Sequence, residues 1–238
     1  MEKAALRVGI LETGRMPDEL TARFADYPRM VAEWLSPLAA EFTTYAVLDG
    51  VIPEDPTACD LWVITGSKFG VYEDHPWIKP LEAFIRACRD AGRKMVGICF
   101  GHQIIAQALG GKVSKSRKGW SLGVQEYSVT SWPEALGEAP ERVCLQAYHQ
   151  DQVDAAPEGS RVIAQSDFCP IAGLWYPGFA ITFQGHPEFR APYASALLDS
   201  RKGTVLKPEQ VEEAQKTMGR PTDAKLLAER IATHYAAI

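Results

Sequence analysis

Two short apolar runs, Leu61–Ile64 and Lys94–Ile98, each precede a segment whose apolar residues recur at helical intervals. This alternation constrains the fold more than any other feature of the chain. An apolar run without a polar residue at every second position reads as a strand buried on both faces, and such strands need helices above and below. After Pro76, the residues Trp77, Ile78, Leu81, Phe84, Ile85 and Cys88 follow i, i+3, i+4 spacing, and Gly92 stands where a C′ glycine would end a helix. A second helical stretch follows Lys94–Ile98, runs to Leu109 and stops at Gly110-Gly111. Upstream, Leu6–Leu11 is another apolar run, and Tyr27–Ala40 has helical spacing at Met30, Val31, Trp34, Leu35 and Leu38. Strand, helix, strand, helix implies an α/β architecture of three layers, a mostly parallel central sheet with helices on both faces.

The second half changes character. Strand-like stretches at Val124–Thr130, Arg142–Gln146, Arg161–Gln165, Ile171–Trp175 and Phe179–Phe183 are separated by Pro, Gly and Asp turn signals. They predict a mixed sheet edge or a small antiparallel layer. Helical patterns return near Tyr193–Asp199, from Pro208 to Met218, and from Ala224, with Asp223 as N-cap, to Tyr235. No repeat or linker interrupts the 238 residues, so the expectation is a single domain over 1–238 with a helical C-terminal extension from about 190.

Charge narrows the classes of partner. A formal net charge of -5 with scattered basic residues gives no footprint for nucleic acid. No apolar run approaches the ~18 residues of a membrane span, and no signal-peptide pattern follows Met1, so a cytoplasmic location and a small-molecule substrate are expected. The five cysteines, Cys59, Cys88, Cys99, Cys144 and Cys169, are odd in number and form no C-x-x-C pair, which argues against a disulfide framework or a zinc ribbon.

The most informative stretch is Gly97-Ile98-Cys99-Phe100-Gly101-His102-Gln103, between a predicted strand and a predicted helix. A nucleophile flanked by glycines at such a junction sits on a tight turn that lifts its side chain above the sheet edge. Glycine is required where strand and helix backbones approach too closely for a Cβ. A helix N-terminus also favours a thiolate. The alternative is that Cys99 is a small buried apolar residue at a strand end, which is what most lone cysteines are. Cys88 falls on the apolar face of a helix and Cys59 and Cys144 adjoin strands, so they read as packing residues.

A thiol nucleophile needs a histidine close in space and a third group to hold the ring. Gly185-His186-Pro187-Glu188 offers both in one loop after a strand. Residues two apart in an extended segment point the same way, so Glu188 can reach one nitrogen of His186 while the other faces Cys99. His75, His102 and His234 read as structural or solvated. H-x-E also opens the zinc-deaminase signature, but its P-C-x-x-C partner is missing and no other His/Cys cluster has ligand spacing, so no metal site is expected.

Together, Gly97–Gln103 and Gly185–Glu188 resemble the class I, triad-type glutamine amidotransferases. Thr65-Gly66-Ser67, Val71-Tyr72-Glu73-Asp74, Gly110-Gly111-Lys112-Val113 and His149-Gln150-Asp151 are similar to stand-alone members that include γ-glutamyl peptidases. The resemblance implies the flavodoxin-like amidotransferase fold, catalysis by Cys99, His186 and Glu188, and no cofactor. It implies an oxyanion hole from the N–H of Phe100 with that of Ser67 or Gly66. It also implies that Gln103 and the backbone around Tyr148, His149 and Gln150 hold the α-amino and α-carboxylate groups of a γ-glutamyl substrate. Dedicated glutaminases usually carry Gly-Gly-Pro in the loop that here reads Thr65-Gly66-Ser67-Lys68, so Ser67 is a departure from glycine, and those of the GMP-synthase type carry Ser-His-Gly-Asp where this chain has Tyr148-His149-Gln150-Asp151. Trp120 is either a packing anchor under the site or a wall of it. Three roles stay open at this stage: a free-standing hydrolase, a glutaminase subunit feeding ammonia to a separate synthase, and a non-catalytic relative that binds a metabolite or partner. No P-loop of the form G-x-x-x-x-G-K-[ST] is present, so an ATP-dependent step would belong to another polypeptide.

Overall fold

The computed structural model describes residues 5–235; residues 1–4, with the Met1 start, and 236–238 lie outside the described residues. In chain order the elements are β1 (Arg7–Leu11), α1 (Tyr27–Trp34), β2 (Glu41–Tyr45), β3 (Leu61–Ile64), α2 (Ile78–Asp90), β4 (Lys94–Ile98), α3 (Phe100–Ala108), β5 (Lys112–Lys115) and β6 (Ser121–Val129). They continue with β7 (Arg142–His149), β8 (Asp151–Ala155), β9 (Arg161–Gln165), β10 (Gly173–Tyr176), β11 (Ala180–Phe183), α4 (Ala191–Arg201), α5 (Pro208–Gln215) and α6 (Ala224–Tyr235).

Nine strands form one sheet in the order β2-β1-β3-β4-β11-β10-β9-β6-β7. The first five are parallel to one another. From β11 onward the neighbours are antiparallel. The strands of the second half therefore extend the main sheet, and the separate antiparallel layer is only the pair β5-β8. The switch has a local cause at Tyr176-Pro177-Gly178-Phe179. Proline and glycine occupy the two central positions, Gly178 has φ +71°, and the Phe179 N–H closes the turn on the Tyr176 carbonyl at 2.9 Å. A tight turn of this kind can only return the chain antiparallel.

Alternate residues of the central strands feed two cores, one on each face. Val8, Ile10, Val63, Val96 and Ile181 meet Val31 and Leu35 near α1, and Leu227, Ile231 and Tyr235 of α6. Trp62, Ile64 and Met95 meet Ile78, Leu81 and Ile85 of α2, and Ile104 and Ile105 of α3. Helix α1 ends at Trp34, earlier than the Tyr27–Ala40 pattern predicts, and a 3-10 turn covers Ser36–Leu38. Pro37 lacks the N–H that would continue the ladder and would clash with the preceding turn. Strands β2, β5 and β8 carry polar, partly exposed sequences, which is why apolar periodicity does not reveal them. Among the described residues no helix is long and apolar enough to cross a membrane.

Candidate active site

The end of β4 and the start of α3 are joined by a single residue, Cys99, with φ +51° and ψ −98°. Among the described residues only Ala39 shares a positive φ without being glycine. Such a conformation costs on the order of 1–3 kcal/mol and persists only where the surroundings over-determine it. Here they do. The Cys99 N–H is held by the Phe183 carbonyl at 2.8 Å, and its own carbonyl accepts the first helical bond from Gln103 at 3.1 Å. A Cβ on Gly101 would lie 2.4 Å from the Ile64 carbonyl oxygen, and one on Gly97 would lie 2.7 Å from the Gly101 backbone. The glycines of the motif thus allow helix and sheet to meet at a distance no other residue permits.

Beside β4, strand β11 runs into the Gly185–Glu188 loop, and the adjacency of the two strands is what brings distant sequence together. His186 donates its backbone N–H to the Gln146 carbonyl at 2.7 Å, an antiparallel bridge to β7. Its ring stacks on Phe189, centroids 4.0 Å apart and planes 8° from parallel. Nδ1 donates to Glu188 Oε1 at 2.8 Å, which leaves Nε2 as the free face of the ring. His186 and Glu188 are 4% and 5% exposed, so their attraction is little screened by water. Burial alone would push the imidazole down, but the Glu188 carboxylate, with a further contribution from the Cys99 thiol, raises it well above its ordinary value.

Gly66 closes the third side. A Cβ there would fall 2.8 Å from His186 Cε1 and 3.7 Å from the Cys99 Cβ, so the backbone of this loop borders both groups. The Gly66 carbonyl accepts from the Thr13 and Thr65 hydroxyls at 3.4 and 3.2 Å. Because C=O and N–H of a trans peptide point in opposite directions, this fixes the Ser67 N–H away from the two threonines. The Ser67 hydroxyl itself accepts from the Phe69 N–H at 3.2 Å and serves the turn. Phe100 is the first residue of α3, where an N–H has no acceptor within the helix.

The remaining predicted residues lie in a polar layer behind this rim. Gln103 donates both amide hydrogens inside the protein, to the Asp151 carbonyl at 2.9 Å and to Gln184 Oε1 at 3.1 Å. Its side chain therefore ties α3 to the 149–151 loop and to the end of β11. His149 donates from Nδ1 to the Asp151 carbonyl at 3.2 Å, and burial pushes its ring down to about 3. The Gln150 carbonyl accepts from the Ser116 N–H at 3.0 Å. Tyr148 packs against Trp120 at 5.3 Å between centroids, which makes Trp120 a neighbour of the loop. Tyr72 donates to Asp151 Oδ2 at 3.0 Å and so latches the 66–75 loop to the 149–151 loop. His102 is buried and neutral, His75 pairs with Glu73 at 2.8 Å, and His234 packs on Trp175. Sequence reasoning missed Thr13, Gln146 and Phe189. Nothing local to the first two marks them, whereas Phe189, three residues after His186, was within reach.

The class-I glutamine amidotransferase family model matches residues 57–198, more than half of the chain. A glutamine amidotransferase-like protein of Schizosaccharomyces pombe is 31% identical over 236 residues, covering 93% of this chain and 95% of that protein. Gamma-glutamyl peptidase 4 of Arabidopsis thaliana is 30% identical over 212 residues, with 85% and 84% covered. The crystal structure of a glutamine amidotransferase from Thermotoga maritima superimposes with a TM-score of 0.77 at 21% identity, over 98% of this chain and 97% of that one. The nine-stranded α/β architecture is thus that of class I glutamine amidotransferase structures, and the chain belongs to the class I glutamine amidotransferase family.

Proposed function

We propose that the protein hydrolyses, or transfers, a γ-glutamyl amide through a thioester on Cys99, acting as a free-standing enzyme on γ-glutamyl peptides or amines. One observation carries this reading: a buried, carboxylate-held imidazole and a cysteine on a strained strand-helix turn both border the Gly66 backbone. A packing role for Cys99 gives no reason for its backbone strain or for a neighbouring buried ion pair. The Cys99 thiolate attacks the γ-carbonyl carbon, and the C=O electrons move onto oxygen. The N–H groups of Phe100 and Ser67, with Gly66 as the second candidate in its loop, receive that oxyanion. His186, protonated and oriented by Glu188, delivers its proton to the leaving nitrogen as the C–N bond breaks. Water then attacks the thioester while His186 takes its proton, releasing glutamate and restoring the thiolate. The backbone of Tyr148, His149 and Gln150 meets the α-groups of the glutamyl moiety, and Gln103 braces that loop. The whole chain acts as one domain in this proposal, with α4–α6 as its extension.

The test is labelling of the purified protein with a glutamine-like chloroketone, followed by peptide mapping and by glutamate release from a panel of γ-glutamyl compounds. The expected result is modification at Cys99 and turnover of at least one γ-glutamyl peptide or amine. Labelling that appears only after a synthase is added favours the ammonia-supplying subunit. No labelling under either condition favours a binding protein.

A further inference from the structure

Glu188 has two carboxylate oxygens and the triad reading uses one. Oε1 accepts from His186, whereas Oε2 is buried without a hydrogen-bond partner among the described residues. An unpaired carboxylate oxygen in the interior is costly, and here it belongs to the group that orients the imidazole. A second orphan lies on the next strand. Gln146 is 2% exposed, and its Oε1 is likewise buried with no partner. Gln146 pairs with His186 across the β7 bridge, so the two side chains project from the same face of the sheet. Gln146 and Glu188 also line one cavity of about 450 Å³ between α1, the 187–191 loop and the start of α6. Two neighbouring acceptors that each lack a donor are explained together if one of them is reversed. A side-chain amide has nearly the same shape with oxygen and nitrogen exchanged, and the hydrogen-bond network decides between the two.

We infer that Gln146 is a positioning residue: its carboxamide presents the NH2 group to Glu188 Oε2 and so holds the carboxylate that holds His186. This rests on the proposed triad chemistry. The hydroxyls of Tyr27 and Tyr193 also lie near Glu188, and Tyr193 donates to Tyr27 at 3.0 Å, which engages its proton elsewhere.

The test compares Gln146→Met with Gln146→Glu, assayed on whichever γ-glutamyl compound the wild-type protein turns over. Methionine keeps length and volume without a donor, and glutamate sets a second carboxylate against the first. The expected order of kcat is wild type, then Met lower by about 10-fold, then Glu lower by about 100-fold, with KM within about twofold throughout. The ultraviolet thiolate absorbance of the resting protein falls in the same order. Tyr27→Phe leaves kcat within about twofold. A purely packing role predicts Met equal to wild type, and that result overturns the inference. So does a loss that appears in Tyr27→Phe and not in Gln146→Met. If Gln146→Glu fails to fold, judged by its melting transition, Gln146→Met decides alone. Wild-type protein that labels at Cys99 while Gln146→Met matches it in kcat sinks the positioning role and leaves the proposed function standing. Wild-type protein that never labels and never turns over sinks both.

Discussion

His186 at the rim and His102 in the polar layer behind it are both buried beside the same strand, β11, yet their partners are opposites. His186 meets a carboxylate at 2.8 Å. His102 accepts at Nδ1 from the Thr182 hydroxyl at 2.7 Å and donates from Nε2 to the Ile171 carbonyl at 3.1 Å. Burial lowers both rings, and their partners then separate them. The carboxylate raises His186 to about 10, whereas His102, offered only neutral partners, is pushed down to about 4 by burial. Burial by itself does not mark a chemical site; what the buried group is paired with does.

The comparison breaks most visibly at the nucleophile. Cys99→Ala should reduce γ-glutamyl hydrolysis by at least about 10⁴-fold without unfolding the protein. Cys99→Gly should be equally inactive but more stable than Cys99→Ala by about 1 kcal/mol, because glycine accepts a φ of +51° without strain. Full activity of the alanine variant would end the triad reading, and equal melting temperatures of the two would remove the strain from it. Next in size is Glu188→Gln, expected to lower kcat by about 10³-fold with little change in KM, since the ring loses both its tautomer and its countercharge. Gly66→Ala should follow at about 10²-fold, as a methyl 2.8 Å from His186 Cε1 must displace the imidazole.

His102→Phe sharpens the contrast from the other side. It should cost about 1–3 kcal/mol of stability, by leaving the Thr182 hydroxyl only its long bond to the Leu174 carbonyl and removing the donor to the Ile171 carbonyl, while kcat of the folded fraction stays within a few fold. The pH dependence of stability should separate the two regions as well. A histidine held neutral in the fold binds its proton only in the unfolded chain, so stability falls as pH drops below about 6.5, toward about 4 for His102 and about 3 for His149. His186 has the reverse sign: its contribution is present below about 6.5 and is lost as pH rises through about 10. Denaturant titrations of wild type and His102→Phe across this range should give a shallower acid limb in the variant. Smallest of all, Tyr72→Phe should unlatch the two loops at Asp151 and raise KM a few fold, measured by steady-state kinetics.

Much of this molecule could be read from the chain, and the readable parts share a physical character. Buried parallel strands are apolar on both faces, so β3 and β4 stand out, and α2 shows a continuous apolar stripe. The antiparallel strands β6, β7, β9, β10 and β11 are marked by their turns, although the turns do not say that they would join the main sheet. Strands β2, β5 and β8 were illegible because they put few apolar residues into any core. At the site, Cys99, His186 and Glu188 were legible because each lies in a short local motif. Gln103 was legible as a residue but not as a brace, since its partners Asp151 and Gln184 are 48 and 81 positions away.

By itself, then, the amino-acid order determined the strand-helix alternation, the glycine-flanked elbow and the two-residue spacing that lets Glu188 reach His186. These depend on contacts among near neighbours, where bond geometry and periodicity suffice. Tertiary structure alone decided which strand stands beside β4, which peptide borders Cys99, and which neutral partners His102 meets. Those outcomes depend on strand order and on atoms brought within a few ångströms from distant parts of the chain, and no local pattern encodes a distance between segments that have not yet met.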